Sequence, residues 1–129
     1  MGDARQFSSD LSRFADKVKV DMGQFRRRVT LGLKEKIERR SPVRTGRLRS
    51  SWAVSDSRPS DFVPSQTSTS GVGPVTATFS RPFDQSFITS NLTYTIAIEF
   101  GGSDQAPQGM VRISMAEVEA ELEAAFGEL

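Results

Sequence analysis

Between Phe7 and Ile37 the apolar residues fall at Phe7, Leu11, Phe14, Val18, Met22, Phe25, Val29, Leu33 and Ile37, three or four apart throughout. Such spacing lines one side of an α-helix. Ser41-Pro42 ends it, because a residue before proline avoids the helical region, so a helix is expected over residues 5–40. At 1.5 Å per residue it would be about 50 Å long, whereas a compact chain of 129 residues measures about 35 Å across. The helix must break or leave the domain. Gly23 and Gly32 each weaken a helix by about 1 kcal/mol relative to alanine, yet the stripe crosses both in register, which favours projection into a partner.

The pattern then changes period. Leu48, Ser50, Trp52 and Val54 alternate with Arg49, Ser51, Ala53 and Ser55, as a strand with one inward face does. Val75, Ala77 and Phe79 alternate again, and Leu92, Tyr94, Ile96, Ile98 and Phe100 give the longest alternation, closed by Gly101-Gly102. Antiparallel strands are therefore expected within residues 47–100. Residues 81–89 hold Pro82, Phe83, Phe87 and Ile88 without a period and receive no assignment. Between the first two strands, 12 of the 18 residues from Ser57 to Pro74 are Ser, Thr, Pro or Gly. So long a connection is uncommon inside a compact domain, and it reads as an arm over 57–74. Val111, Met115, Val118, Leu122 and Phe126 restore helical spacing, for a second helix over 109–126. The expected fold is one α+β domain over residues 1–129, with a long N-terminal helix and a C-terminal helix packed on a small antiparallel β-sheet.

Charge divides along the chain. Residues 1–50 carry 14 Lys and Arg against six Asp and Glu, a net +8; residues 51–129 carry three against ten, a net −7. Such segregation points to nucleic acid or to self-association in which one copy's basic end meets another's acidic end. Single exposed pairs are worth only about 0–1 kcal/mol, so a solvated face remains the ordinary reading of any one residue. The glutamates at 117, 119, 121, 123 and 128 sit toward the C-terminal end of the second helix, where the macrodipole disfavours them. A basic neighbour on the first helix would relieve that. Arg26, Arg27 and Arg28 span most of its non-apolar circumference, as a phosphate-binding patch or a solvated face would.

With no histidine and no cysteine, the commonest general base, the thiolate nucleophile and zinc-thiolate sites are missing, and no enzyme activity, cofactor or metal is expected. No apolar run approaches the roughly 18 residues of a spanning helix, and the first residues are polar where a signal peptide turns apolar, so no membrane partner is expected. Asp56, Asp61, Asp84 and Asp104 read as solvated loop charges. Glu99 falls on the polar face of the best strand, either exposed or paired with an arginine of the 44–49 segment. Gly71-Val72-Gly73-Pro74 reads as a turn, and Asn91-Leu92-Thr93 as a chance match to the glycosylation tripeptide.

Two segments are more specific. Ser41-Pro42-Val43-Arg44-Thr45-Gly46-Arg47-Leu48-Arg49-Ser50-Ser51-Trp52 is followed by Asn91-Leu92-Thr93-Tyr94, continuing through Ile98-Glu99-Phe100-Gly101-Gly102 to Pro107-Gln108-Gly109-Met110. Together they resemble the neck or tail-completion family of long-tailed bacteriophages, which includes the Z-type minor tail proteins of lambda-like phages. Its pattern is a basic N-terminal helix, P-V-x-T-G-x-L-x-x-S, N-x-x-Y-(small)-x-x-x-E-x-G, a proline-containing loop and a C-terminal helix. The resemblance covers nearly the whole chain in order and is weakest over residues 55–90. Thr95 stands where the family more often has alanine.

The resemblance implies a structural virion protein at the head–tail junction, assembled in the bacterial host cytoplasm. It would be one subunit of a homo-oligomeric ring, a hexamer or dodecamer, around the DNA passage. Its neighbours would be head-closure and tail-terminator or tail-tube proteins, with packaged DNA touched only non-specifically. Pro42, Thr45, Gly46, Leu48, Trp52, Tyr94, Glu99 and Gly101 become fold-defining residues. Leu48, Trp52 and Tyr94 are expected in the core, and Gly46 at a turn that a side chain would block. The best candidates for a basic channel lining are Arg26, Arg27 and Arg28; for subunit contacts, Phe62 and Val63 of the arm with Glu117 and Glu121. The alternative function is a small nucleic-acid-binding protein using its basic N-terminal helix.

Overall fold

The computed structural model describes residues 3–15, 22–43, 46–80 and 85–127. In place of one helix over 5–40 there are two, α1 (Asp3–Ala15) and α2 (Met22–Arg40). They run antiparallel. Arg28 of α2 pairs with Asp10 of α1 at 2.5 Å, and the Phe7 ring lies on Gly32, where a Cβ would collide with it. At about 20 and 29 Å both helices fit a domain of this size. The expected projection into a partner is thus replaced by a fold-back, with the apolar stripe serving both helices: Leu11 on α1 and Ile37 on α2 are fully buried. Gly32 is not a weak point but the place where α1 seats.

A short 3-10 turn, Arg49–Ser51, precedes β1 (Ala53–Asp56), which pairs antiparallel with β2 (Ser86–Thr89) in the register Ala53↔Thr89 to Asp56↔Ser86. Of the first expected strand only this second half is extended; Leu48 and Trp52 are nonetheless buried. Residues 75–79 do not form a strand. They follow the other edge of β1 through a single parallel bridge, Val54↔Val75, with the Val54 amide donating to Pro74 and the Thr76 amide to Val54 (2.9 and 2.8 Å). Beyond that point the Asp56 carboxylate takes the amides of Thr78 and Phe79 (2.7 and 3.1 Å), and Phe79 turns to φ +57°. A side chain has taken the place of the ladder.

The clearest expected strand is also absent. Residues 92–94 form a turn and Thr95–Glu99 a helix, α3. An alternation of period two contains every i, i+4 pair a helix uses, so Leu92, Ile96 and Phe100 fit either structure. Leu92 and Thr95 are buried, while Tyr94, Ile96 and Phe100 are exposed. α4 (Val111–Phe126) closes the chain within the expected 109–126. Both α1 and α2 pack against it, and α2 also packs against β2. Phe25 and Phe126 meet edge to face at 5.5 Å. The result is an α+β fold in which N- and C-terminal helices pack against a small antiparallel sheet. Its main core gathers Ile37, Leu48, Trp52, Leu92, Ala106 and Met110, each large side chain contributing about 1.5–3 kcal/mol by burial.

The 57–74 segment carries no helix or strand, but it lies along the body instead of projecting as an arm. Asn91 Nδ2 donates to the carbonyls of Ser60 and Phe62 (2.8 and 3.0 Å), and Arg47 to that of Pro64 (3.2 Å). The Gly71 amide donates to Ser50 Oγ (2.9 Å) and the Gly73 amide to Glu38 Oε2 (2.7 Å). Glu38 is buried with Lys34 one helical turn away, 2.7 Å from its carboxylate.

Candidate functional site

The two motif segments meet around the end of α2 and the start of α4. Ser41 follows Arg40 and is fully buried; its hydroxyl donates to the Ile37 carbonyl and accepts from Trp52 Nε1, both at 2.8 Å. Arg49 reaches back to the carbonyls of Ser41 and Arg39 (both 2.9 Å). A basic side chain thus satisfies carbonyls that the helix leaves open. Pro42 is half-buried beside them. Gly46 turns the chain at φ +86°, a conformation that favours glycine, with the Thr69 backbone close enough to crowd a Cβ. Thr45 lies outside the described residues.

Among the described residues Glu99 pairs with Arg112 and not with Arg47 or Arg49. It closes the N-terminus of α4, which begins at Met110 without a side-chain cap of its own. Oε1 accepts the amides of Met110 and Val111 (2.8 and 2.7 Å), and Oε2 those of the Arg112 backbone and Arg112 Nε (both 3.0 Å). Arg112 returns a hydrogen bond to the Glu99 carbonyl (2.8 Å) and lays its guanidinium 4.4 Å from the centre of the Phe100 ring. Burial by itself would raise the Glu99 pKa; the three amides and Arg112 outweigh it and hold the carboxyl below the usual glutamate value. Gly101, at φ +92°, then turns the chain away from α3.

Tyr94 is not in the core. It is 40% exposed, on the wall of a hollow of about 660 Å³ shared with Pro42, Leu48, Ile98 and residues 102–105. Its place on a turn, not a strand, points it outward.

The arginine triplet does not form one patch. Arg26 is half-buried, its guanidinium 5.7 Å from the Phe79 ring centre; Arg28 pairs with Asp10; Arg27 is exposed along a groove of about 550 Å³ between α1 and α2. Glu117 and Glu121, expected at a subunit contact, are held within the chain. Lys36 Nζ lies 3.1 and 3.0 Å from them, and Arg40 pairs with Glu117 while donating to Ser114 Oγ at 3.1 Å. These pairs tie the end of α2 to the middle of α4. Glu119 and Glu123 are exposed on α4 instead. Phe62 is half-buried and Val63 exposed.

Sequence reasoning passed over the largest apolar exposure. Ile96 is 73% and Phe100 69% exposed, four residues apart on one side of α3. The signal was present in the i, i+4 spacing, hidden by the strand reading. Among the described residues, no cluster of three or more Asp or Glu could hold a metal ion, and no helix is long and apolar enough to cross a membrane. Comparisons with protein-family models, curated proteins and solved structures find no match.

Proposed function

We propose that this chain is a structural virion protein of the phage neck, a ring subunit that joins tail to head around the DNA passage. The observation that carries the reading is the meeting of the two motif segments. Residues forty or more positions apart in the chain, Leu48 and Trp52 on one side and Leu92 and Met110 on the other, share one buried cluster, and Glu99 ties the second segment to α4. Both segments thus contribute side chains to one core, as segments that define a fold together would, although the pattern's Tyr94 stays outside it. The exposed Ile96 and Phe100 add the kind of surface that assembly covers.

The nucleic-acid reading has less support, because Arg26 faces Phe79 and Arg28 faces Asp10, which leaves no contiguous basic stripe at the triplet. The deciding experiment removes the gene from a phage that encodes the chain and inspects lysates by electron microscopy. Separate filled heads and finished tails, joined again when the chain is resupplied, are the expected result. Intact joined particles made without it would overturn the reading.

A further inference from the structure

We infer that the hollow between the two motif segments receives an arginine side chain presented by a segment of a partner protein. The assignment does not depend on the neck reading; it follows from what lines the hollow.

The hollow holds about 660 Å³ and brings Pro42, Leu48, Tyr94 and Ile98 together with residues 102–105. Its apolar side is firmly seated, because Leu48 is buried in the main core and Ile98 packs against that core. Tyr94, half out of the protein, adds an aromatic ring, and the exposed Asp104 adds a carboxylate. The loop that carries Asp104 is tied down on both sides. The Gly102 amide donates to the Ala97 carbonyl and the Ala106 amide to that of Ser103 (2.9 and 3.1 Å), while Gln105 Oε1 accepts the Val43 amide at 3.0 Å. Apolar surface, ring and charge are thus held in place before anything binds, which lowers the cost of binding.

These groups choose among occupants. A neutral apolar ligand would strip water from Asp104 and leave its carboxylate without a partner, and an anion would be repelled. A cation on an aliphatic stem satisfies both sides: the stem lies along apolar wall, and the head meets the ring face and the carboxylate. Glu99 is already neutralised by Arg112, whereas Asp104 has no ion pair among the described residues, so its charge is available to a ligand. Arginine suits the hollow better than lysine, because a planar guanidinium stacks on a ring and offers a carboxylate two parallel donors. The volume is in the range of sites that enclose a whole small ligand, which leaves space for main chain on either side of the arginine. Gln105, with its side-chain oxygen taken by Val43, keeps its Nε2 donors for a carbonyl of that main chain. A polypeptide therefore fits better than the free amino acid.

The test titrates the full-length, nitrogen-15-labelled protein with the capped tripeptide acetyl-Gly-Arg-Gly-amide at low salt, where exposed charges are least screened. Its counterparts carry lysine, or citrulline, the uncharged isostere of arginine, in the middle position. Saturable amide shifts confined to Tyr94, Ile98 and residues 102–105 are expected, with a dissociation constant of about 1 mM. The citrulline peptide should bind at least about tenfold more weakly, and Asp104→Asn should weaken the arginine peptide as much. Tyr94→Leu should weaken it severalfold. Asp104 and Tyr94 are both exposed, so the spectra away from the hollow should stay unchanged. No saturable shift up to about 50 mM, shifts centred elsewhere, or a citrulline peptide that binds equally well overturns the assignment, as does indifference to Asp104→Asn. A lysine peptide or free arginine that binds as tightly as the capped arginine overturns the choice of ligand. Binding that is seen only after Arg44→Ala overturns the partner, since the chain's own arginine is then the occupant.

Discussion

The carboxylate of Glu99 lies 2.7 Å from the amide of Val111, and through that bond a residue of one short helix becomes the cap of the next. Helix N-termini leave amides without intrahelical partners, and a charged acceptor there gains from both hydrogen bonding and the macrodipole. Here the acceptor lies twelve residues before Val111, so α3, the Gly101–Gly109 connection and α4 are fixed as one unit.

Replacing Glu99 by alanine should therefore cost about 1–3 kcal/mol, as amides and Arg112 lose their acceptor. Glu99→Gln keeps one acceptor oxygen and should lose less. Urea unfolding of the three proteins checks both the order and the size.

The same carboxyl gives a pH dependence of definite sign. Its folded pKa lies below the ordinary 4.5, so the folded state favours the ionised form. The stabilisation is fully present above the unfolded value and is lost as pH falls through the folded one. Thermal midpoints measured from neutral pH downward should drop below about pH 4.5, and Glu99→Gln should flatten part of that drop. An acid limb identical in the two proteins would assign the effect to other carboxyls.

Lys34 and Glu38 form a buried ion pair, and Glu38 also holds the Gly73 amide. Lys34→Met strands a buried carboxylate and should cost about 3 kcal/mol or more. Adding Glu38→Gln removes the charge while keeping an acceptor for Gly73, and the double variant should recover part of the loss. Chemical denaturation in a double-mutant cycle measures the coupling.

At Gly32, alanine improves helix propensity by up to about 1 kcal/mol but places a methyl against the Phe7 ring. Overpacking of this kind costs about 1–3 kcal/mol, so Gly32→Ala should lower stability on balance. Combining it with Phe7→Leu, which vacates the ring's space, should reverse the sign of the alanine effect. Thermal unfolding of the four proteins in the cycle tests the reversal.

The sequence was most readable where one pattern has one meaning. The 3.6-residue period identified α4 within two residues of its start, and Leu48 and Trp52 are buried as expected, although neither lies in a strand. It misled where one pattern serves two structures. The stripe from Phe7 to Ile37 fits one long helix and a folded pair equally well, because the second helix can present the same face to the same core. Residues 92–100 alternate and also repeat every four. What tips them into α3 is tertiary: the Glu99 carboxylate is drawn to α4, and Gly101 turns the chain after it. Local spacing contains neither fact. Of the site, the basic partners of Glu117 on α2 were legible in the division of charge along the chain, whereas the exposed Ile96 was concealed by the strand reading.

The contacts that pin residues 57–64 and 69–73 to the body leave Ser65–Ser68 as a small turn at the tip, where the Ser68 amide donates to the Ser65 carbonyl. Lengthening a loop costs only about 0.6 kcal/mol per doubling, and here the anchored flanks would carry none of it. The chain thus has a built-in insertion point, at which peptide tags or grafted binding sequences could be displayed while the core beneath keeps its register.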